Sequence, residues 1–170
     1  ALIRMMTLIF PGDEFLSNLL IVLAILTILS GSFGAIIQNN IKKAFSFLII
    51  CHIGFMIGGL GVFNVVAISG VVFYLIHDII VKTNIFLIGG LIYRIKSTTN
   101  MKKIGGLYKQ RPILSLLIIF VLFSLVGVPP LSGFWPKLSL FVSSYESQRY
   151  VFLGALILGS LITLVVIAKI

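Results

Sequence analysis

The sequence has little of what catalytic and metal-binding proteins use for their chemistry. Among its 170 residues are one cysteine, two histidines and four acidic residues. The single cysteine, Cys51, excludes an internal disulfide and a metal site built from several cysteines. Two histidines and one aspartate within the apolar spans also fall short of a metal site. Since there is no phosphate-binding loop, serine triad, haem motif or CxxC pair either, the sequence predicts no metal and no other cofactor.

Charged residues are scarce, and apolar ones dominate. The chain is 59% hydrophobic and 10% charged, with a mean hydropathy of +1.22. These values predict an all-α polytopic membrane protein that spans a lipid bilayer. The net charge of +9 could suggest nucleic acid, but the basic residues lie between apolar spans and no aromatic residues are interleaved with them. Membrane topology explains the charge better, so we expect no nucleic acid partner.

The apolar spans divide the chain into a short leading piece and a five-helix transmembrane unit. Residues 1–16 are predicted to be the tail of a preceding helix plus a loop with a turn at Pro11-Gly12, which indicates a fragment of a longer protein. Residues 17–170 are predicted to form the unit, and a glycine-rich run, 58–61, is expected to end its second helix. The predicted spans are about 17–37, 42–61, 65–93, 112–147 (broken near 129–136) and 150–169.

The fourth span cannot be one unbroken helix. Proline removes a backbone donor and clashes with the preceding turn, and glycine weakens a helix. Irregular backbone at membrane depth is tolerated only when it is buried in protein or lines a wet cavity, and a lysine there is costly unless it is functional. Lys137 is therefore the first candidate site residue. The residues that predict the break are Pro129, Pro130, Gly133 and Pro136.

A simpler interpretation of this run is a loop between two helices, with Lys137 reaching the membrane interface. Against it, Ile113–Val128 has only 16 residues. A helix needs about 20 residues to span the bilayer core. The two halves are therefore expected to cross the membrane together.

The third span carries His77, Asp78 and Lys82 near its middle. Asp78 and Lys82 are four residues apart, so they share a helix face and can pair. Either the pair only holds helices together, or the group is a proton relay, since histidine titrates near neutral pH and burial favours a neutral amine. We list Lys137, Lys82 and His77 as relay residues, with Asp78 as their charge partner. His52 is a secondary candidate, because a lone histidine in an apolar span more often makes a helix–helix hydrogen bond.

The basic residues are distributed unequally between the two sides of the predicted membrane. Five crossings place nine of them on one side and two, Arg4 and Arg149, on the other. The positive-inside rule then places the loop 94–111 in the cytoplasm. We expect a multi-pass protein of the plasma membrane. The nine are Lys42, Lys43, Arg94, Lys96, Lys102, Lys103, Lys109, Arg111 and Lys169.

Three segments, residues 38–43 (QNNIKK), 73–84 (FYLIHDIIVKTN) and 127–137 (GVPPLSGFWPK), resemble the proton-conducting antiporter family. That family includes components of respiratory complex I and of Mrp-type sodium/proton antiporters. The leading segment 1–10 and the motif His-x4-Lys-Thr-x2-Phe-Leu-x-Gly-Gly, which begins at His77, are most similar to the D component of the Mrp-type Na+/H+ antiporters. The related components of complex I are those of the N, M and L types.

The resemblance implies that residues 17–170 are the second of two inverted five-helix repeats, with a broken fourth helix that carries a central lysine. Lys137 matches that lysine, and Lys82 and His77 match a lysine and a histidine of the preceding relay helix. Pro136 departs from the pattern, because a glycine is common before the lysine in antiporter subunits. The glutamate–lysine pair of the first repeat lies outside this sequence.

Three functions follow as hypotheses. The leading one is a subunit of a multisubunit cation/proton antiporter, which binds other subunits and moves protons, and Na+ in exchange, through a midplane relay. The alternative is a proton-pumping subunit of an NADH:quinone oxidoreductase or a membrane-bound hydrogenase, in which redox chemistry in partner subunits drives the protons. The third is a structural membrane anchor. A transporter subunit is favoured over a catalytic one.

Overall fold

Helices account for nearly all of the chain. The computed structural model describes residues 2–9, 13–104, 106 and 111–170. Within these ranges there are seven α-helices, one 3₁₀ turn at Met101–Lys103 and no strand, which confirms the all-α prediction. The predicted turn at Pro11-Gly12 and the basic residue Lys109 lie outside the described residues. Helices α1 to α7 are Leu2–Leu8, Glu14–Ile37, Ile41–Val62, Val65–Lys96, Pro112–Val126, Phe134–Glu146 and Tyr150–Lys169.

Four of these helices, α2, α3, α4 and α7, are long and apolar enough to cross a membrane. Helices α5 and α6 have 15 and 13 residues, so neither reaches the roughly 20 that a crossing needs. They follow one another directly, separated only by the irregular segment 127–133. Together they form the interrupted element that the prolines and glycines predict.

The interruption is shorter than the sequence suggests. Helix α5 ends at Val126 and is capped by Gly127, whose φ of 84° lies in the left-handed region that glycine adopts without steric cost. Pro136 was expected in the break, but it is the third residue of α6. This is a correction with a simple cause: the first turn of a helix has no intrahelical partners for its N–H groups, so a proline there loses no hydrogen bond.

The helix starts follow from short polar side chains. Asp13 accepts hydrogen bonds from the amides of Phe15 (3.0 Å) and Leu16 (3.4 Å), so α2 begins three residues earlier than the predicted span. Asn40 caps α3, and Asn64 caps α4 by accepting from Val66 N at 3.1 Å. Each cap satisfies amides that the first turn of a helix leaves free.

Glycines in α2 and α3 allow close packing. The run 58–61 was expected to end the second helix, and α3 ends one residue later, at Val62, so these glycines lie within its last turns. A Cβ on Gly61 would lie 2.8 Å from a side-chain carbon of Ile21, and one on Gly31 would lie 2.9 Å from Cys51 Cα. These glycines therefore belong to the contact between the two helices, where small residues let membrane helices approach.

The predicted basic side of the protein is one physical end of the helix bundle. Ile41 N donates to Thr99 O at 3.0 Å, and Met101 N donates to Asn39 O at 2.9 Å, which joins the connection before α3 to the loop after α4. Lys169 Nζ donates to the carbonyl of Gln38 at 2.9 Å, so the end of α7 lies there too. The chain segments that carry the described basic residues of this side thus meet at one end.

Two apolar clusters form the core, and polar side chains lie between them along the chain. The first cluster, which includes Leu48, Val81 and Leu125, contains the basic end of the bundle. The second includes Phe55, Tyr74, Leu140 and Phe152. We call the ionisable side chains at their boundary the polar layer: His52, His77, Asp78, Lys82 and Lys137.

We predict that Gly31→Ala lowers the free energy of unfolding by about 1–3 kcal/mol, because the added methyl group pushes α3 away from α2. Gly154→Ala is the matched control, since a Cβ there meets nothing within 4 Å. Thermal unfolding in detergent, followed by circular dichroism, measures both. Equal melting temperatures for the two variants would contradict the packing role of Gly31.

We also predict that the end with Lys102 faces the cytoplasm. A cysteine-labelling experiment tests this orientation. In the loop after α4, Lys102 is a better position for the cysteine than Thr99, because Lys102 is exposed whereas the Thr99 hydroxyl accepts a hydrogen bond from Asn40. A cysteine in place of Lys102 should resist a membrane-impermeant thiol reagent in intact cells, and a cysteine in place of Glu146, at the other end, should react. Cys51 is fully buried and adds no background. The reverse labelling pattern would invert the topology.

Candidate functional site

The carboxylate of Asp78 joins two helices. Its Oδ1 lies 3.1 Å from Nδ1 of His52 on α3, and its Oδ2 forms an ion pair with Nζ of Lys82 one turn along α4. The predicted Asp78–Lys82 pair is thus present. Sequence reasoning placed His52 in a helix–helix hydrogen bond without naming its partner, and the structure supplies that partner.

Burial makes these contacts energetically important. Asp78 is 5% exposed and His52 is fully buried, while the side chain of Lys82 is 16% exposed. An ionised carboxylate at membrane depth is costly unless charged or hydrogen-bonding partners surround it. The carboxylate of Asp78 is therefore tolerated in α4 because His52 of α3 and Lys82 of the next turn of α4 each donate to it.

His77 points to a different neighbour from Asp78. Its Nδ1 lies 2.9 Å from Ser132 Oγ in the irregular segment between α5 and α6, and Ser132 Oγ lies 3.2 Å from Ser124 Oγ. Gly133 packs against the imidazole ring, where a Cβ would lie 2.9 Å from Nε2. The helix interruption thus provides both a hydrogen-bonding hydroxyl and the space for the His77 ring.

Lys137 extends from α6 back to the end of α5. Its Nζ donates to the carbonyl of Val126 at 2.7 Å and more weakly to that of Leu125 at 3.5 Å. The last carbonyls of a helix have no intrahelical partners, and that end carries the negative part of the helix dipole. Lys137 is 5% exposed, and no carboxylate of the described residues lies within ion-pairing distance of its ammonium. Backbone carbonyls are therefore the groups that stabilise this charge.

Two aromatic side chains lie between the ionisable groups. Phe55 stacks on His52, with ring centroids 5.8 Å apart, and its centroid lies 5.4 Å from Lys137 Nζ. Tyr74 makes edge contacts with His52 (5.7 Å) and with His77 (6.1 Å). Phe55 thus contacts both His52 and Lys137, and Tyr74 contacts both histidines, whereas Asp78 contacts His52 and Lys82 directly.

Sequence reasoning missed several members of this site. The carbonyls of Leu125 and Val126 are backbone groups, which carry no sequence signal beyond the helix break itself. Ser132, the partner of His77, lies within the run 127–137. A hydroxyl next to the helix break was therefore the one sequence signal that could have identified it. Among the described residues no group of three histidine, cysteine, aspartate or glutamate side chains is arranged to hold a metal ion.

Comparison with known proteins points to one family. The family model described as NADH:quinone oxidoreductase/Mrp antiporter, TM matches residues 1–163. The D component of the Na(+)/H(+) antiporter of Alkalihalophilus pseudofirmus is 39% identical over 171 residues, covering 100% of this chain and 35% of the relative. The putative antiporter subunit mnhD2 of Staphylococcus saprophyticus is 38% identical over 165 residues, covering 96% and 33%. The chain spans about a third of the length of these curated relatives.

Solved structures share the fold. The Mrp complex from Dietzia sp. DQ12-45-1b contains a chain that matches with a TM-score of 0.92 at 27% identity, covering 98% of this chain and 31% of that one. An archaeal membrane-bound sulfane sulfur reductase matches at 0.83 and 26% identity, covering 89% and 31%. Respiratory complex I from Thermus thermophilus matches at 0.67 over 89% of this chain and 34% of that one, and at 23% identity this likeness concerns the fold alone.

We predict that Asp78→Asn lowers the stability of the folded protein by about 3–5 kcal/mol, because it leaves Lys82 without its counter-charge at membrane depth. The double variant Asp78→Asn with Lys82→Gln removes both charges and should recover most of that loss. Thermal unfolding in detergent measures both variants. A double variant no more stable than the single one would show that Asp78 is held mainly through His52.

Proposed function

Because the chain belongs to the NADH:quinone oxidoreductase/Mrp antiporter transmembrane family, we propose that it forms a proton-translocating unit of a multisubunit cation/proton antiporter, with Na+ as the exchanged cation. The observation that carries this proposal is the ammonium of Lys137, buried at a helix break and held by backbone carbonyls. A buried lysine without a carboxylate partner is retained at membrane depth when its charge has a function.

The proposed relay uses the polar layer. Lys137, Lys82 and His77 carry protons, and Asp78 is the charge partner that stabilises whichever neighbour is protonated. Asp78 touches both Lys82 and His52, so a proton lost from one donor leaves the carboxylate with the other. This arrangement lets charge move along the layer while the carboxylate keeps a partner, which keeps the cost of each step low.

Lys137 is coupled to Asp78 through space. No direct hydrogen bond joins these two described side chains, and Phe55 lies beside the ammonium. In a low-dielectric interior, two charges influence one another over longer distances than in water. A change of charge at Lys82 or His52 therefore alters the free energy of protonating Lys137, and this electrostatic coupling is what we propose links the two parts of the layer.

The partners follow from the family and from the length of the chain. The relatives are named as antiporter subunits, so we propose that this protein assembles with other subunits in the plasma membrane and faces the cytoplasm with its basic end. The alternative, a proton-pumping subunit of a quinone oxidoreductase or a membrane-bound hydrogenase, has support in the fold shared with complex I. The curated relatives at 36–39% identity favour the antiporter.

Purification of the intact protein with its bound partners separates the two functions. Small membrane subunits without redox centres support the antiporter, whereas subunits that contain iron–sulfur clusters support the redox-driven pump. Absorbance and electron paramagnetic resonance of the purified complex detect such clusters directly. Clusters in stoichiometric amounts would rule out the antiporter as the main function.

We predict that Lys137→Gln in the intact protein lowers Na+-dependent proton exchange by roughly 100-fold or more, while the protein still folds, because the variant removes a buried charge and keeps a polar amide that cannot carry a proton. Lys137→Arg should fail as well, since a guanidinium stays protonated. Collapse of a pH gradient upon addition of Na+ to inverted vesicles measures the exchange.

The matched control for this experiment is Lys43→Ala, which removes an exposed lysine at the basic end and should leave exchange unchanged. Well-folded Lys137→Gln protein with normal exchange would show that Lys137 only stabilises the end of α5. That result would support the structural-anchor hypothesis for this residue.

A further inference from the structure

Ser132 lies in the irregular segment between α5 and α6, where two consecutive turns fix the backbone on either side of it. The amide of Leu131 donates to the carbonyl of Val128 at 2.9 Å, and the amide of Phe134 donates to the carbonyl of Leu131 at 3.1 Å. Each bond closes a turn across three residues. The position of the Ser132 hydroxyl is therefore set by the hydrogen bonds of the segment itself.

The imidazole of His77 depends on this hydroxyl for its orientation. Among the described residues, Ser132 is the one side chain that hydrogen-bonds to His77, with Oγ 2.9 Å from Nδ1. Asp78, the next residue on α4, contacts two other members of the polar layer instead. Tyr74 meets the imidazole only ring to ring, with centroids 6.1 Å apart. Without Ser132, the described part of the chain would leave Nδ1 of His77 without a side-chain partner.

A hydroxyl suits a histidine that changes its charge. Nδ1 of a neutral imidazole accepts a hydrogen bond in one tautomer, whereas an imidazolium donates from both nitrogens. Serine can donate and accept, so Ser132 can bond to Nδ1 in either state, while a carbonyl could only accept. Ser124 Oγ, 3.2 Å from Ser132 Oγ, is a second hydroxyl that can donate to Ser132 in one state and accept from it in the other.

The irregular segment 127–133 also supports Lys137. A Cβ on Gly127 would lie 3.1 Å from Cδ of Lys137, just as one on Gly133 would lie 2.9 Å from Nε2 of His77. Both side chains therefore pack against the backbone of the same segment, although they belong to α6 and α4. A residue that fixes His77 against this segment also fixes it relative to Lys137.

We propose that Ser132 is the positioning residue of His77, and that its hydroxyl holds the imidazole against the helix break in both charge states of the ring. This inference rests on the proposed relay, because His77 is one of its members. Ser132 acts through His77 and is not a further proton carrier. The charged side chains of the described residues that act on His77 are Asp78 on α4 and Lys137 on α6, and both are retained in every variant below.

Solid-state nuclear magnetic resonance of the intact protein in lipid bilayers tests the hydrogen bond directly. With isotope-labelled histidine, the ring-nitrogen shifts distinguish the two neutral tautomers from imidazolium, and the His77 signals are those absent from His77→Gln. We expect Ser132→Ala to shift the Nδ1 signal of His77. Ser132→Thr keeps the hydroxyl and should retain the wild-type signal. Ser69→Ala is the matched control, because that exposed hydroxyl donates to Val66 O at 2.9 Å within α4.

Exchange measurements in inverted vesicles show whether this hydrogen bond serves the relay. Ser132→Ala should lower Na+-dependent proton exchange by roughly ten-fold, while Ser132→Thr and Ser69→Ala should retain it. His77→Gln should lower exchange at least as much as Ser132→Ala, since Ser132 acts through His77. An unshifted His77 signal in Ser132→Ala, unchanged exchange in that variant, or a larger loss than in His77→Gln would overturn the proposal. Wild-type protein without Na+-dependent exchange would instead contradict the proposed function, and the His77 spectra alone would then decide the role of Ser132.

Discussion

The contact between the Lys137 ammonium and the carbonyl of Val126, at 2.7 Å, is the interaction on which the rest of this fold depends. A helix that ends inside a membrane leaves carbonyls without partners, and a lysine at that depth has a charge without solvent. Each group satisfies the other. The broken helix and the buried lysine therefore require one another, which explains why the prolines, the glycines and the lysine occur within eleven residues of sequence.

The same constraint shapes the other side of the polar layer. Asp78 is held by His52 from α3 and by Lys82 from its own helix, so the packing of α3 against α4 fixes the position of a charge. Glycines also let α2 approach α3 closely, since a side chain on Gly31 would meet the backbone at Cys51, the residue before His52. Stability and charge placement thus depend on the same small residues.

Much of this arrangement could be predicted from the sequence, and the exceptions have a common cause. Local rules were sufficient for the all-α fold, the interruption of the fourth span and the Asp78–Lys82 pair, because four residues on one helix fix a geometry. The partner of His52 is 26 residues away, and that of Lys137 is a backbone carbonyl. Such contacts depend on how helices pack. The end of α3, one residue after the run 58–61, follows from local propensity, whereas the contact of Gly61 with α2 depends on tertiary packing.

The two parts of the polar layer differ in the groups that stabilise their charges, and this difference decides in which part those groups can change their protonation state. The partners of Asp78 are side chains that can gain or lose protons, so the charge around it can be redistributed. The partners of Lys137 are backbone carbonyls, which accept hydrogen bonds but do not titrate in this range. In the relay that we propose, the proton on Lys137 responds to the charge state of the Asp78 group rather than to a change in its own neighbours. The proposed relay then has an adjustable part on α3 and α4 and a fixed end point on α6.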